Sequence, residues 1–255
     1  MTTLPSIAEL RAKVHPAGHL ERRNGEHWAG RLYMRRVSLH ATRIFLGLRL
    51  SPNQLTGLMT LAGVAAGPAL LWPGLPGAIL AALLVQAYLL LDCSDGEVAR
   101  WTGQTSTTGI YLDRVGAYFC DAALLVGLGF RAAGGESTGY AVLGLAAALG
   151  AVLIKSETDL VDVARARRGQ SVVTEEDVEP RTPGLASVRR AALALRFHRL
   201  IQAIELSLVI VVAAVIDALA GDLVATRVLT VAVAVVAAVQ VVLHLASVLV
   251  SRRLA

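Results

Sequence analysis

Apolar residues in this chain come in blocks of about 20, broken by short polar or glycine-proline stretches, with little of the strand-like alternation of a half-buried sheet. Wound as a helix at about 1.5 Å per residue, such a block crosses a hydrocarbon core roughly 30 Å thick. Six blocks predict six transmembrane helices. The first follows Ser51-Pro52-Asn53 and ends near Trp72-Pro73-Gly74, and the second covers 76–91 and runs into a cluster of carboxylates. The third takes 109–130, the fourth 139–155 with a continuation into charged sequence, the fifth 200–219 and the sixth 223–250.

The segment before the first block has a different pattern. Over residues 27–50, Trp28, Leu32, Val37, Leu39, Ile44 and Leu46 fall partly on one side of a helix, with Arg31, Arg35, Arg36 and Arg43 on the others. That suits a helix lying along lipid headgroups, and an ordinary surface helix is the alternative. From Arg165 to about Arg190 the chain is polar, with the run Thr174-Glu175-Glu176-Asp177-Val178-Glu179 before Pro180 and Pro183, as in a solvated loop. The expected organisation is an interfacial N-terminal segment, 1–50, and a six-helix membrane domain, 51–255, with a polar loop at about 165–198. The fold class is all-α integral membrane: six transmembrane helices preceded by an interfacial amphipathic helix.

Composition agrees, with 55% hydrophobic and 17% charged residues and a mean hydropathy of +0.60, values rare in soluble domains. Charge then sets orientation. Of 24 Lys and Arg, nine precede Ser51, nine lie from Lys155 to Arg199, and two are Arg252 and Arg253, whereas the alternate loops hold only Arg131 and Arg227. Lys and Arg accumulate in cytoplasmic loops, so both termini and the carboxylate cluster are expected at the cytoplasmic face of a multi-pass plasma-membrane protein. The net charge of +5 is accounted for by insertion and anionic lipid, with no nucleic-acid partner implied. No cleavable signal is expected in the first fifty residues. Cys93 and Cys120 fall in membrane segments at no metal-ligand spacing and read as small core residues.

The chemistry concentrates between residues 92 and 113, which read D-x2-D-G-x2-A-R-x8-G-x3-D. Carboxylates at the end of a membrane span are costly and point to function. Asp92 and Asp95 share a helix face about one turn apart, and Asp113 opens the next helix after a short reversal, so three oxygen donors can converge. Hard divalent cations such as Mg2+ or Mn2+ take carboxylate oxygens together with water and phosphate. Gly96 and Gly109 allow close approach to the backbone, and Arg100 is a planar cation suited to phosphate. These features together describe a diphosphate site.

The pattern resembles the signature of the CDP-alcohol phosphotransferases, a family of six-helix membrane enzymes, written D-x2-D-G-x2-A-R-x8-G-x3-D-x3-D. Asp92, Asp95, Gly96, Ala99, Arg100, Gly109 and Asp113 match it at the family's spacing, and the lead-in Pro52-Asn53-x2-Thr56 is similar too. The resemblance implies that Asp92, Asp95 and Asp113 hold Mg2+ or Mn2+. It also implies that Asn53, Thr56, Gly96, Ala99, Arg100 and Gly109, with Asp92, shape the nucleotide and diphosphate pocket. The implied reaction is attack by an acceptor alcohol on a CDP-linked lipid such as CDP-diacylglycerol, releasing CMP in phospholipid biosynthesis, by a homodimer among membrane lipids.

The chain departs from the signature at Ala117, where family members carry a fourth aspartate thought to complete the metal site and act as the base. Alanine does neither, and Asp121 lies one turn too far along the helix to replace it. An engineered replacement, a variant using another base, and a member that has lost catalysis all fit, and with the last goes the alternative of a membrane protein that binds CDP-alcohols without turnover. Lys155 and Arg199, at the cytoplasmic ends of the fourth and fifth spans, are candidates to bind an acceptor phosphate, with snorkelling as the plain alternative. Glu205 is expected to face the interior, with His198 pairing with it or sitting at headgroup level. Gly63 and Gly67 form a small-x3-small pair for helix packing within the chain or across a dimer. A cation transporter fits less well, because the carboxylates cluster at one face and no inverted repeat is evident.

Overall fold

The computed structural model describes residues 4–15, 29–136, 138–171, 202–251 and 253–254. Regular structure among them is helical: α1 (Ile7–Val14), a π-helical turn (Gly30–Met34) leading into α2 (Arg35–Gly47), α3 (Pro52–Ala69), α4 (Gly74–Thr102), α5 (Thr107–Ala132), α6 (Gly139–Arg167), α7 (Ala203–Ala220) and α8 (Val224–Val250). Five of these, α4 to α8, are long and apolar enough to cross a membrane. Large apolar side chains such as Leu83, Val142, Leu149, Val235 and Val242 point outward from them. The protein is an all-α integral membrane protein. The first expected span, α3, has 18 residues and stays below that hydropathy because it opens on Pro52, Asn53 and Gln54.

Local chemistry sets the helix ends. Ser51 and Gln54 form a reciprocal capping box, the Gln54 amide donating to Ser51 Oγ at 3.3 Å and the Ser51 amide to Gln54 Oε1 at 2.9 Å, with Pro52 in the first turn. α4 stops at Gly103, whose φ of +70° is left-handed, and Ser106 caps α5 by accepting from the Gly109 amide at 3.0 Å. The connection between α4 and α5 is therefore only four residues long. At the far end of α7, Asp217 accepts from the Ala225 amide at 2.8 Å and the Thr226 amide at 3.1 Å, so one buried carboxylate closes α7 and opens α8.

α3 lies against α4 and α5, α5 against α6, α6 against α8, and α4 against α7, around a core that includes Met59, Val85, Tyr88, Leu124, Leu128 and Ile210. Glycine lets these backbones touch. A Cβ on Gly67 would lie 2.3 Å from the Ala123 carbonyl oxygen, one on Gly127 would lie 2.4 Å from the Gly67 carbonyl oxygen, and one on Gly63 would meet Cys120. The Gly63 and Gly67 pair thus packs α3 on α5 within the chain. Replacing Gly67 by leucine is expected to destabilise the bundle by about 3 kcal/mol through overpacking against backbone that cannot rotate away. Thermal unfolding in detergent micelles measures this, and an unchanged midpoint would contradict the packing. Cys93 and Cys120 are both buried in this core.

Two elements run further than their apolar blocks. α4 continues beyond Leu91 through the carboxylates to Thr102, and α6 continues beyond Lys155 to Arg167. Asp92 stands 18 residues after Gly74 on α4, about 27 Å along the axis, close to the edge of a hydrocarbon core roughly 30 Å thick. The polar last turns of α4 can thus reach water while the helix stays intact. α2 presents Val37 and Ile44 outward and turns the Ser38 and Thr42 hydroxyls onto Glu97 of α4, so its hydroxyl-bearing face is docked there. Trp28, at the start of the expected interfacial helix, and residues 172–198 of the polar loop lie outside the described residues. The fifth helix of the bundle begins at Ala203, and Glu205 in its first turn is buried beside Tyr33, as its interior placement requires.

Candidate active site

The last turns of α4, the first turns of α5 and the start of α3 converge at one end of the bundle. Asp92 and Asp113 face each other across the α4–α5 hairpin, their carboxylates within hydrogen-bonding reach. Asp95 is buried one turn along α4 and lies within electrostatic range of both. It accepts from Thr56 Oγ1 at 2.6 Å, which draws it toward α3. Gly109 faces Asn53, whose Oδ1 would sit 3.3 Å from a Cβ placed there. Asn53 and Thr56, Asp92 and Asp95, and Gly109 and Asp113 thus come from three helices to one place.

Three carboxylates interact here, yet among the described residues no three Asp, Glu, His or Cys side chains close into a cage for an ion. The facing pair is the tighter contact, since Asp95 is held by Thr56. Two carboxylates turned toward each other repel unless a proton or a cation lies between them. A pair of hard oxygen donors beside a third fits Mg2+ or Mn2+, which fill their remaining positions with water and phosphate oxygens. The donor set therefore suits such an ion as an open site.

Cationic groups flank the carboxylates. Arg100 folds its guanidinium over Gly96, where a Cβ would lie 3.0 Å from Nη1, so the missing side chain makes room for the arginine. Arg100 Nε donates to the Val14 carbonyl at 3.0 Å, which ties α1 to α4. Ala99 closes the helix, its carbonyl accepting from the Gln104 amide at 3.0 Å. Arg35, from α2, lies within electrostatic reach of both Asp92 and Arg100, which places a second arginine at the site. A cation pair beside a carboxylate pair matches a metal-bound diphosphate, whose oxygens would meet both.

Arg35 is positioned by Glu97, which sequence reading passed over as a variable position of the signature. Glu97 is fully buried. It accepts from Ser38 Oγ at 2.6 Å and Thr42 Oγ1 at 2.7 Å, contacts His15 Nε2 at 3.0 Å, and has Arg35 Nη1 at 3.9 Å. Lys13 adds a bond to the Trp101 carbonyl at 2.8 Å and stacks over the Trp101 ring. The N-terminal helices thus form a cap on α4 beside the site. The available signal was a carboxylate in a membrane helix immediately after Gly96, since such a group calls for a partner. Nothing in the spacing named Ser38, Thr42 or His15 as those partners.

Ala117 is one turn after Asp113 on the same face of α5. Its carbonyl accepts from Lys155 Nζ at 2.9 Å, and the same ammonium pairs with Asp121 Oδ2 at 2.7 Å. Asp121 also accepts from the Ala203 amide at 2.8 Å, so it joins α5, α6 and α7 and does not face the Asp92–Asp113 pair as a spare base. Lys155 stands at the site's edge with its charge engaged. Beside it, Tyr118 donates to Asp159, and Arg114 pairs with Asp159 and with Asp162, the latter at 3.7 Å. Arg199 and His198 lie outside the described residues.

Comparison with known proteins bears on this arrangement directly. Residues 49–156, which run from the lead-in before α3 to just past Lys155 in α6, match the family model described as CDP-alcohol phosphatidyltransferase. No curated protein matches the chain. The matched segment contains the three helix ends that build the site, while α1, α2, α7 and α8 lie outside it.

Proposed function

We propose, from the match of residues 49–156 to the family model described as CDP-alcohol phosphatidyltransferase, that the chain transfers a phosphatidyl group from CDP-diacylglycerol to an alcohol acceptor and releases CMP. The match implies a CDP-alcohol donor, an alcohol acceptor and, as is general in the family, dependence on a divalent metal. The observation that carries the reading is the Asp92–Asp113 pair facing across the α4–α5 hairpin with Arg35 and Arg100 beside it. Our reading extends to a cytoplasmic active site in the plasma membrane, to a role in phospholipid synthesis and to a homodimer, with 51–255 as the catalytic domain.

In this reading Asp92, Asp95 and Asp113 would hold Mg2+ or Mn2+, and the ion would supply positive charge to the diphosphate as negative charge develops there. Arg100 and Arg35 fix the two phosphates, while Asn53, Thr56, Gly96, Ala99 and Gly109 shape the space for the nucleotide. The acceptor hydroxyl attacks the phosphorus next to the donor alcohol. A new oxygen–phosphorus bond forms, the bond to CMP breaks, and the hydroxyl proton passes to water or to a carboxylate of the site. Lys155 and Arg199 remain our candidates to hold an acceptor phosphate. With no carboxylate at position 117, the proton-transfer part of the step is weakly assisted.

Asp92→Asn is expected to weaken metal-dependent binding of CDP-diacylglycerol by at least about tenfold, because an amide cannot serve as the second anionic donor of the pair. Equilibrium binding to the purified chain, with and without Mg2+, tests this. Unchanged affinity would remove Asp92 from the site. Ala117 also keeps a second reading in view, a protein that binds CDP-alcohols without turnover. Metal-dependent nucleotide binding with no CMP release from any acceptor would favour it.

A further inference from the structure

The level of Ala117 holds a group that neither the signature nor the transfer reading uses. α4 and α5 run antiparallel through a short hairpin, and Asp92 faces Asp113 across it. One turn back along α4 is therefore level with one turn on along α5, about 6 Å deeper in the bundle. The residue of α4 at that level is Tyr88, and the residue of α5 is Ala117. A phenol thus stands across from the alanine that occupies the signature's fourth aspartate position.

Packing fixes where the phenol goes. Tyr88 is 6% exposed, and its ring lies on Gly63 of α3, where a Cβ would come within 3.0 Å of Tyr88 Cδ2 and 2.7 Å of Cys120 Cβ. Glycine at position 63 leaves the ring its room among α3, α4 and α5. The Tyr88 hydroxyl is within electrostatic range of Asp92 and Asp113 above and of Cys120 and Asp121 below, so it faces the space beneath the carboxylate pair.

The neighbouring polar groups are already matched. Lys155 Nζ is held by the Ala117 carbonyl and by Asp121, and Asp121 also by the Ala203 amide. Thr60, against Gly116, donates from Oγ1 to the Thr56 carbonyl at 2.9 Å. The Tyr88 hydroxyl makes no hydrogen bond among the described residues, and its oxygen is not sealed off, in contrast to Gln86 Nε2 on the same helix. A phenol oxygen that can accept and donate, open on one side and walled by apolar side chains elsewhere, suits a hydroxyl-bearing ligand.

Resting on the transfer reading, we propose that Tyr88 orients the acceptor: its phenol oxygen accepts a hydrogen bond from the acceptor hydroxyl in the space that Ala117 leaves beside the Asp92–Asp113 pair, and so aims the attacking oxygen at the phosphorus. The phenol stays neutral throughout. As the new oxygen–phosphorus bond forms and the bond to CMP breaks, the acceptor's proton leaves to water, since Tyr88 accepts a bond without taking charge. Tyr88 replaces the missing carboxylate in position and not in basicity.

The test uses four purified full chains: the chain itself, Tyr88→Phe, Ala117→Asp and the double variant. Each is assayed for Mg2+-dependent CMP release from CDP-diacylglycerol, with the alcohol of a mixed panel that the Ala117→Asp form uses best, and for its unfolding midpoint in one detergent. Tyr88→Phe alone is expected to lower kcat/KM for the acceptor about tenfold, the worth of one hydrogen bond, with the KM for the donor unchanged. In the Ala117→Asp background the same substitution should change the rate less than about twofold, because the carboxylate then holds the hydroxyl and the two residues are coupled. A merely structural tyrosine would cost the same factor in both backgrounds, and that result overturns the proposal, as does an unchanged rate for Tyr88→Phe. Release by the Ala117→Asp form with none by the chain itself also overturns it, while leaving the transfer reading intact. No release by either form removes both. If Tyr88→Phe lowers the midpoint, the comparison of backgrounds still decides, because a loss of folding acts on both alike.

Discussion

Ala117→Asp is expected to raise the rate of CMP release from CDP-diacylglycerol by a factor of about 100 to 10,000, the range over which a positioned general base accelerates proton transfer. The position is one turn after Asp113 on the inward face of α5, so a carboxylate there would stand beside the Asp92–Asp113 pair. The protein can accommodate it. Ala117 is half-buried, and Lys155 Nζ already lies 2.9 Å from its carbonyl, so a new carboxylate has a cation within reach. Asp121, the other carboxylate on this stretch of α5, is engaged by Lys155 and the Ala203 amide and cannot supply the same function. Steady-state CMP release by the two purified forms reads the ratio. A ratio near one, with the unsubstituted chain already fast, would show that another group takes the proton. A ratio near one with both forms inert would favour binding without turnover.

The second large effect concerns stability. Glu97→Ala is expected to cost about 3–5 kcal/mol, the penalty for removing one partner from a buried charged network. Ser38, Thr42 and His15 would lose their shared acceptor, and Arg35 a counter-charge, around a carboxylate that is itself fully closed to solvent. For a chain of this size that corresponds to a fall of about 10 °C in the unfolding midpoint. Glu97→Gln keeps one carbonyl acceptor and should lose roughly half as much. Because Glu97 also places Arg35, the glutamine form should bind CDP-diacylglycerol more weakly even where it folds. Thermal unfolding of the three proteins in one detergent decides the matter. Midpoints that do not move would mean that α1 and α2 are held to α4 by other contacts.

How much of this was legible beforehand depends on the distance over which each feature acts. The bundle was readable because membrane helices are written locally, as blocks of apolar residues of the right length. The Ser51–Gln54 capping box and the glycine ending α4 are equally local, and the hairpin bringing Asp92 to Asp113 follows from the short polar break between two blocks. The extension of α4 through Thr102 was less visible, because Asp92, Asp95 and Glu97 interrupt the apolar run, although Asp95 and Glu97 find hydroxyl donors on neighbouring helices. The pairing of Asp121 with Lys155 joins residues 34 apart, and the docking of His15, Ser38 and Thr42 on Glu97 joins residues 55 to 82 apart. Periodicity carries no information over such separations.

The site itself divides in the same way. The spacing of the signature placed the carboxylates on two helices and predicted their convergence, because the intervening turn is short. It could not foretell that Thr56 would hold Asp95, that Gly96 would admit the Arg100 guanidinium, or that Arg35 would enter from a helix outside the matched segment.

The most direct test of the central claim is release of CMP from CDP-diacylglycerol by the Ala117→Asp form, followed with and without Mg2+ and with and without a mixed panel of alcohol acceptors. CMP should appear only when the metal and an acceptor are both present, and Asp113→Asn in that background should abolish it. CMP release that persists in a metal chelator, or none at all from a folded protein that still binds the donor, would contradict a metal-dependent transfer at the Asp92–Asp113 pair.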